Sequence, residues 1–457
     1  MTMDVTDIID RQHLGIFQLR IIVLCGLIQF FDGFDTQMIA YTAPMIMREW
    51  HVPHAALGSV FAASLLGITC GTAFLSPLAD RIGRKKVLIM AVTIFSGMTL
   101  IIAAARNIDM LMVMRFLTGI GLAAVIPCTT VMVNEFAPRS RRATMVTMMS
   151  IGFAVGAAGG GQLNAILLPL IGWRGTFCVG GFLPLILVVA LMRYLPESLR
   201  YLVVQGGREA EIARVLKLMV PDLRLMPGTS FAIHHGPGHG DGQPRRARVL
   251  ELFTRERVAI TLLLWLAVCL NLLTMNFLNN WLPSVLTGAG LTVAQAVRAT
   301  TLFQCGGIVG VLAMGWITDR IGFFPVLIIS FAMQAVVACS IALGGGSIPV
   351  LVAAVPAAGL FVIGVNNMLS ALTATLYPTA IRATGTGWAN CFGHLGAITG
   401  PVIGGILLGL HWPIGNLFFL LAAVPAVGTC VMATMAAFRV RQQRLAVPVA
   451  EPARQSA

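Results

Sequence analysis

The stretch that decides the fold is SPLADRIGRKK, residues 76–86, because its middle returns later in the chain. Residues 79–83 read ADRIG, and residues 318–322, 239 positions later, read TDRIG. Two further sets match at an offset of 240: Pro138 and Arg142-Ala143-Thr144 with Pro378 and Arg382-Ala383-Thr384, and Gly156, Ala157 and Gly160 with Gly396, Ala397 and Gly400. Three matches at nearly one spacing predict two related halves, and parallel repeats of this kind place a binding site between them.

The composition predicts that most of the chain lies in lipid. The 457 residues are 57% hydrophobic and 11% charged, with a mean hydropathy of +0.86, whereas soluble chains are about 45–50% apolar and about 25% charged. So few charges cannot cover a water-facing surface, which argues against a soluble enzyme. The net charge of +13 sits in short segments between apolar runs, a distribution typical of membrane topology and not of a nucleic-acid-binding face.

Twelve apolar runs are long enough to cross a bilayer core, which needs about 20 residues per helix. They are residues 19–41, 55–78, 87–105, 109–134, 144–168, 175–194, 258–284, 296–318, 325–344, 348–376, 383–409 and 414–437, with 166–196 open to another division. An even number of crossings puts both termini on one side. Segments on that side hold 26 of the 31 Lys and Arg, so both termini are predicted to be cytoplasmic. The expected location is the inner membrane.

The repeat and the charges also predict the domain organisation. An N-terminal six-helix half, 1–195, and a C-terminal six-helix half, 258–438, flank a cytoplasmic central loop, 196–257, and a cytoplasmic tail follows at 439–457. The central loop is expected to begin with an amphipathic helix over residues 207–219. It then continues as a linker rich in Gly, Pro and His, a composition that cannot bury a core.

Neither a cofactor nor a metal site is predicted. The nine cysteines are scattered singly and form no CxxC pair, so they are expected to be reduced and packed. His234, His235 and His239 of the central loop could bind a metal, but a solvated loop that happens to carry histidines explains them as well. We find no nucleophile–base pair, metal-ligand spacing or phosphate-binding loop in the sequence, so the chain is not expected to be an enzyme.

The stretch SPLADRIGRKK resembles the G-x4-D-R-x-G-R-K signature of the major facilitator superfamily, with Ser76 in place of the first Gly. The resemblance implies an all-α membrane protein with twelve transmembrane helices in two pseudo-symmetric six-helix halves. It also implies a cytoplasmic gate of charged side chains that breaks for inward opening; a simple stop-transfer basic cluster is the alternative. The gate residues are expected to be Asp80, Arg81, Arg84, Glu135, Arg142, Asp319, Arg320 and Arg382.

The first helix carries two carboxylates three residues apart, Asp32 and Asp35, in the stretch FFDGFD. This spacing puts them on one helix face, and each charge at the centre of a spanning helix costs at least about 2.5–3.5 kcal/mol. Arg115 and Asp35 each lie about six residues from the outer end of their predicted helices, roughly 9 Å deep, so they can meet. The stretch RFLTG, residues 115–119, also resembles the R-x3-G motif of proton-coupled facilitators. Asp32, Asp35 and Arg115 are therefore candidates for proton coupling; carboxylates that only reach an interface are the alternative.

The stretch DGFD, together with NFLNNWLP (276–283) and YPTAIRATG (377–385), resembles the aromatic acid:H+ symporter family. His394 stands where members usually carry Arg, at mid-helix, where a cation can contact a substrate carboxylate; a hydrogen-bonded packing histidine is the alternative. Aromatic substrates need apolar faces and a few polar anchors. The expected substrate-binding residues are His394, Trp281, Asn276, Asn280, Trp388 and Asn367.

The sequence therefore predicts a proton-coupled secondary transporter that imports a monocyclic aromatic carboxylate, such as a hydroxybenzoate, by alternating access. Its partners are the small-molecule aromatic carboxylate, H+ and the lipid bilayer, with no nucleic acid, and the chain is expected to be a monomer. A facilitator for another organic anion or a sugar, or a nontransporting receptor of the same fold, remains the alternative.

Overall fold

The computed structural model describes residues 2–10, 15–138, 140–220, 230–232, 249–254, 257–344, 347–378 and 381–446. The histidines of the central loop lie outside the described residues. The elements in chain order are β1 (Thr2–Asp4), α1 (Val5–Asp10), α2 (Ile16–Trp50), α3 (His54–Ile82), α4 (Arg84–Ile102), α5 (Ile108–Leu122), α6 (Val125–Phe136), α7 (Arg142–Tyr194), α8 (Leu199–Gln205), α9 (Glu209–Met219), β2 (Ser230–Ala232), a 3-10 helix (Val249–Phe253), α10 (Val258–Gly288), α11 (Val293–Ile321), α12 (Phe323–Leu343), α13 (Ile348–Leu376), α14 (Arg382–Gly409) and α15 (Ile414–Ala446).

Within these ranges, eleven continuous helical stretches are long and apolar enough to cross a membrane, with α5 and α6 forming one of them. One stretch makes two crossings, since the 53 residues of α7 span about 80 Å at 1.5 Å per residue against a core of about 30 Å. Gly172 divides it with φ 66° and ψ −178°, a backbone region that is essentially restricted to glycine. The all-α fold with twelve crossings is thus confirmed, and the predicted runs 144–168 and 175–194 lie on either side of the break.

The first membrane helix is longer than its apolar run. Helix α2 continues nine residues past the predicted end at residue 41, to Trp50. Glu49 holds this extension against the second arm of α7, because its carboxylate accepts from the indole Nε1 of Trp173 at 2.5 Å and pairs with Arg174. The hydropathy of the sequence predicts where α2 leaves the lipid. The polar contacts of Glu49 stabilise the part of α2 that continues beyond that point.

Glycines bring the helices of each repeat into backbone contact. On α7, a Cβ at Gly156 would lie 1.9 Å from the carbonyl oxygen of Phe30 on α2. On α14, a Cβ at Gly396 would lie 2.0 Å from the carbonyl oxygen of Cys269 on α10. Both glycines and both carbonyls are related by the offset found in the sequence, so the repeated glycines perform the same packing task in the two helix pairs.

We expect Gly156→Ala to destabilise the protein by about 1–3 kcal/mol, because the added methyl group must push α2 and α7 apart. Gly159→Ala is the matched control, since a Cβ at that position meets nothing within 4 Å and alanine is the better helix former. Thermal unfolding of the two purified variants in detergent checks this: the melting temperature should fall for Gly156→Ala only. Equal melting temperatures would show that this helix contact is not tight.

The buried apolar residues show which end of the bundle is closed. We call the end at which α2 begins the terminal side, since α15 ends there too, and the other end the opposite side. Toward the opposite side, one cluster joins α2 and α3 to α10 and α11, with Ile46, Leu57, Val285 and Phe303 among its members; we call it the joining cluster. On the terminal side, the described residues form two separate clusters, drawn from residues 5–219 and from residues 252–435. The bundle is therefore closed on the opposite side and divided on the terminal side.

A short helix lies outside the bundle, as the sequence predicts. Helix α9 turns Ile212, Val215, Leu216 and Met219 into the cluster of residues 5–219. The amphipathic helix expected over residues 207–219 is therefore present, beginning two residues later than predicted.

Candidate functional site

A buried ion pair lies between α2 and α5. Arg115 Nη1 is 3.0 Å from Asp35 Oδ2, and each side chain is 1% exposed. Thr99 of α4 donates its hydroxyl to Asp35 Oδ1 at 2.6 Å, and Arg115 Nη2 donates to the Ser64 hydroxyl of α3 at 3.4 Å. Four helices thus supply one polar cluster, and Arg115 Nε remains buried without a hydrogen-bond partner among the described residues.

The contact between Asp35 and Arg115 is the one that their predicted positions suggested, but Asp35 lies further from the end of its helix than predicted. Asp35 lies 15 residues from the end of α2, about 22 Å, whereas Arg115 lies seven residues from the start of α5, about 10 Å. The two side chains still meet because α2 projects further on the opposite side than α5 does.

The second carboxylate of α2 has a different environment. Asp32 is 4% exposed, and it accepts a hydrogen bond from the hydroxyl of Thr36 at 3.4 Å. No Lys, Arg or His among the described residues lies within ion-pair distance of it. One helical face therefore carries a paired carboxylate and an unpaired carboxylate one turn apart.

Three amide side chains that the sequence did not single out connect α2, α10 and α11, next in sequence to Met38, Leu278 and Phe303 of the joining cluster. Asn279 Oδ1 of α10 accepts from Gln37 Nε2 of α2 at 3.2 Å and from Gln304 Nε2 of α11 at 3.0 Å. Gln37 and Gln304 are both buried. The signal that could have found them is the one used for the carboxylates, namely polar groups inside apolar runs.

His394 lies on α14, twelve residues from its start at Arg382, which is about 18 Å and near mid-helix. Its side chain is half-buried, and its Nδ1 is buried without a hydrogen-bond partner among the described residues. Seven and eleven residues further on, Pro401 and Gly405 occupy the same helix face, and they contact Gly58 of α3. The face of His394 is therefore the one that α14 turns toward α3.

The other expected substrate-binding residues are dispersed. Trp281 is 0% exposed and donates its Nε1 to the carbonyl oxygen of Pro401 at 2.8 Å, so a ligand could reach it only if the joining cluster separated. Trp388 is 43% exposed and stacks on Trp265 near the terminal side, with ring centroids 6.1 Å apart. Asn367 is exposed on α13.

Asn276 and Asn280 lie one turn apart on α10 and are half-buried. Each donates its side-chain amide to a carbonyl oxygen four residues earlier on the same helix, at 2.9 Å and 2.8 Å. Their amide oxygens, by contrast, have no hydrogen bond within the described chain. Among the described residues, no hydrogen bond joins either of them to His394 or to the ion pair.

The charged residues expected to form a gate divide between the two terminal-side clusters. In the first, Arg84 pairs with Asp80 at 3.0 Å and with Glu135 at 2.6 Å, and Glu135 also accepts from the Ser198 hydroxyl at 2.5 Å. Arg84 is therefore the ion-pair partner of Glu135 among the described residues. Arg142 Nε is buried without a hydrogen-bond partner among the described residues.

The charged residues near the other cluster make different contacts. The Arg320 guanidinium lies 3.6 Å from the ring centroid of Trp316, and Arg382 Nε donates to the carbonyl oxygen of Tyr377 at 3.5 Å. Among the described residues, no ion pair joins Asp319 or Arg320 to Asp80 or Arg81. The charged residues expected to form the gate are thus split between the two separate clusters. This is the arrangement expected when the terminal side is open.

Comparison with known proteins identifies the family. The sequence pattern of the Major Facilitator Superfamily matches residues 25–300 and 264–456 in two overlapping segments. The chain belongs to the Major Facilitator Superfamily, and it is a multi-pass membrane protein. The fold agrees, since the nucleoside transporter NupG superposes with a TM-score of 0.70 at 13% identity, over 92% of this chain and 99% of that one.

Relatives with much higher sequence identity carry names that specify cargo. The chain is 37% identical to the 4-hydroxybenzoate transporter PcaK of Pseudomonas putida, over 94% of this chain and 96% of the relative. It is 39% identical to a gallate transporter of Pseudomonas putida, over 92% of each chain.

Proposed function

We propose that the protein imports a monocyclic aromatic carboxylate together with a proton. The observation that carries this proposal is the arrangement on α2, in a bundle open on one side only: Asp35 is paired with Arg115, and Asp32 has no cation partner among the described residues. The similarity to transporters named for 4-hydroxybenzoate and gallate supports the class of substrate. The proposed substrate is a hydroxybenzoate-like monoanion.

The coupling follows from the cost of buried charge. A charge at this depth costs at least about 2.5–3.5 kcal/mol. A bound proton cancels the charge of Asp32, which no cation of the described residues neutralises. When Asp32 releases that proton, the proposed responding cation is Arg115, which pairs with Asp35 one helical turn along α2 from Asp32. One proton moving with one monoanion transfers no net charge, so accumulation follows the pH difference at about 1.4 kcal/mol per unit.

The proposed orientation places both termini in the cytoplasm and the protein in the inner membrane, because the basic residues lie mostly on the terminal side. The state described above is then inward-open. In the outward-open state, residues 1–195 and 258–438 rock apart at the joining cluster and meet at the cytoplasmic gate. Asp80, which is 72% exposed, and Asp319 are then the carboxylates that can pair across the gate, with Arg81, Arg142, Arg320 and Arg382 as cations.

His394 is the proposed partner of the substrate carboxylate, since its Nδ1 has no partner among the described residues and its imidazole can offer a hydrogen bond and, when protonated, a cation. We expect His394→Ala to raise the apparent KM several-fold and to flatten its dependence on pH between about 5.5 and 7.5. His394→Arg should keep binding and lose that dependence. Uptake kinetics at a series of pH values check both expectations.

The control for His394 is His411→Asn, which removes another imidazole at a turn with φ 57°, a conformation that asparagine tolerates. It should keep the pH profile of the wild type. If the profiles of wild type, His394→Ala and His394→Arg coincide, His394 is a packing residue and another group binds the carboxylate.

The substrate class is tested by uptake of labelled aromatic acids into cells that express the protein, with and without an uncoupler. The proposal requires saturable uptake of a monocyclic aromatic carboxylate that the uncoupler abolishes. A sugar or an aliphatic acid taken up in preference would contradict the substrate class, and no uptake of any compound by the folded protein would favour a receptor.

A further inference from the structure

A basic cavity of about 570 Å³ lies on the terminal side, apart from the site between α2 and α5. It is enclosed by the start of α2, the start of α4, the end of α7 and α9. Its lining includes four basic side chains, Arg20, Lys85, Arg193 and Arg214. Cavities of roughly 300–1,000 Å³ are of the size that binds small molecules.

Arg20 is the most constrained of these cations. Its guanidinium lies 5.1 Å from the ring centroid of Phe17 and 5.9 Å from that of Tyr194. Its Nε is buried without a hydrogen-bond partner among the described residues. A buried donor without an acceptor is costly, so an anion that reaches Arg20 can supply the acceptor that the described residues do not.

The carboxylates of the cavity are already engaged. Glu197 Oε1 accepts from the backbone N–H groups of Lys85 at 3.0 Å and of Ser198 at 2.9 Å. Glu211 pairs with Arg208 at 3.5 Å. Within the described part of the chain, Arg20, Arg193 and Arg214 have no carboxylate within 4 Å, and the cavity keeps an excess of positive charge.

Apolar side chains lead from this cavity along the membrane helices. On α2, Leu19 and Val23 are 52% and 51% exposed; on the second arm of α7, Val189 and Met192 are 66% and 57% exposed. Tyr194 at the mouth has the amphipathic ring that is enriched at membrane–water interfaces. The basic cavity, which suits a phosphate, therefore adjoins an apolar surface that suits acyl chains.

We propose that the basic cavity binds the phosphate of an anionic phospholipid, with the acyl chains lying against the exposed apolar residues of α2 and α7. Basic pockets between transmembrane helices on the cytoplasmic side bind such headgroups. A free phosphate has the same charged group but does not contact the adjoining apolar surface. The presence of that surface therefore favours a lipid over a free phosphate.

The test uses the purified full-length protein, delipidated in detergent and given phosphatidylglycerol, phosphatidylcholine or inorganic phosphate, with bound lipid counted by native mass spectrometry. We expect at least tenfold more binding of phosphatidylglycerol than of phosphatidylcholine, and at least a tenfold loss in Arg20→Gln and in Arg214→Gln. The control is Lys217→Gln, which removes a cation from the same helix as Arg214 but outside this cavity. It should bind like the wild type.

Three results would overturn the proposal: no preference for phosphatidylglycerol, equal loss in Lys217→Gln, or unchanged binding in both arginine variants. Displacement of the lipid by millimolar inorganic phosphate would assign the cavity to a free anion instead. Melting temperatures measured in phosphatidylcholine establish that each variant is folded. The outcome does not depend on transport, so it stands apart from the proposed function.

Discussion

Arg115→Met is expected to yield little folded protein and no transport. The substitution leaves the Asp35 carboxylate buried without its cation, and removing one partner of a buried ion pair costs about 3–5 kcal/mol. That is a large part of the roughly 5–15 kcal/mol by which folded proteins are stable. Folded yield after detergent extraction, followed by the melting temperature of what remains, measures the effect.

Two comparisons separate the buried ion pair from any general effect of losing an arginine. Arg174→Met breaks the ion pair with Glu49. The side chains of Arg174 and Glu49 are 41% and 43% exposed, and an exposed ion pair contributes only about 0–1 kcal/mol to stability. The double variant Asp35→Asn with Arg115→Met removes both buried charges, so it should recover much of the folding without recovering proton-driven uptake. If Arg115→Met and Arg174→Met lose equal stability, the buried pair is not a major source of stability.

Asp32→Asn is expected to abolish accumulation against a gradient while leaving exchange of labelled for unlabelled substrate. The amide keeps the size of the side chain and its contact with Thr36, but it cannot carry a proton in one direction and return empty. Proteoliposomes with an acidic exterior measure accumulation, and proteoliposomes preloaded with unlabelled substrate at equal pH measure exchange.

The control for Asp32 is Asp109→Asn, which changes an exposed carboxylate in the first turn of α5 and should accumulate substrate normally. Full accumulation by Asp32→Asn at normal expression would remove this residue from the coupling mechanism. Loss of both accumulation and exchange would instead give Asp32 a role in binding.

The sequence predicted those features that follow from periodicity and from the cost of burying charge. The twelve crossings, the break near Gly172 and the meeting of Asp35 with Arg115 all follow from such reasoning. The end of α2 did not, because the Glu49 contacts that extend it join residues more than 120 positions apart. The partners of Glu135 also depend on how the chain folds back, which brings Arg84 and Ser198 to it from 51 and 63 positions away.

The conformational state was not predictable either, since one sequence supports several states of a transporter. Trp281 illustrates this. The sequence predicts a substrate-binding ring near polar residues, but in this state the ring is buried in the joining cluster. The contacts of Asn279 could not be predicted either. It lies in the stretch NFLNNWLP, but the amides of Gln37 and Gln304 that donate to it come from two other helices.

The most direct test of symport is the pH inside proteoliposomes when substrate is added at equal pH on both sides. Addition of 4-hydroxybenzoate should acidify the lumen at a rate that saturates with substrate and exceeds the rate in protein-free liposomes. Asp32→Asn proteoliposomes should show no such excess. Saturable entry of labelled substrate without any protein-dependent acidification of the lumen would contradict proton coupling and make the protein a facilitator.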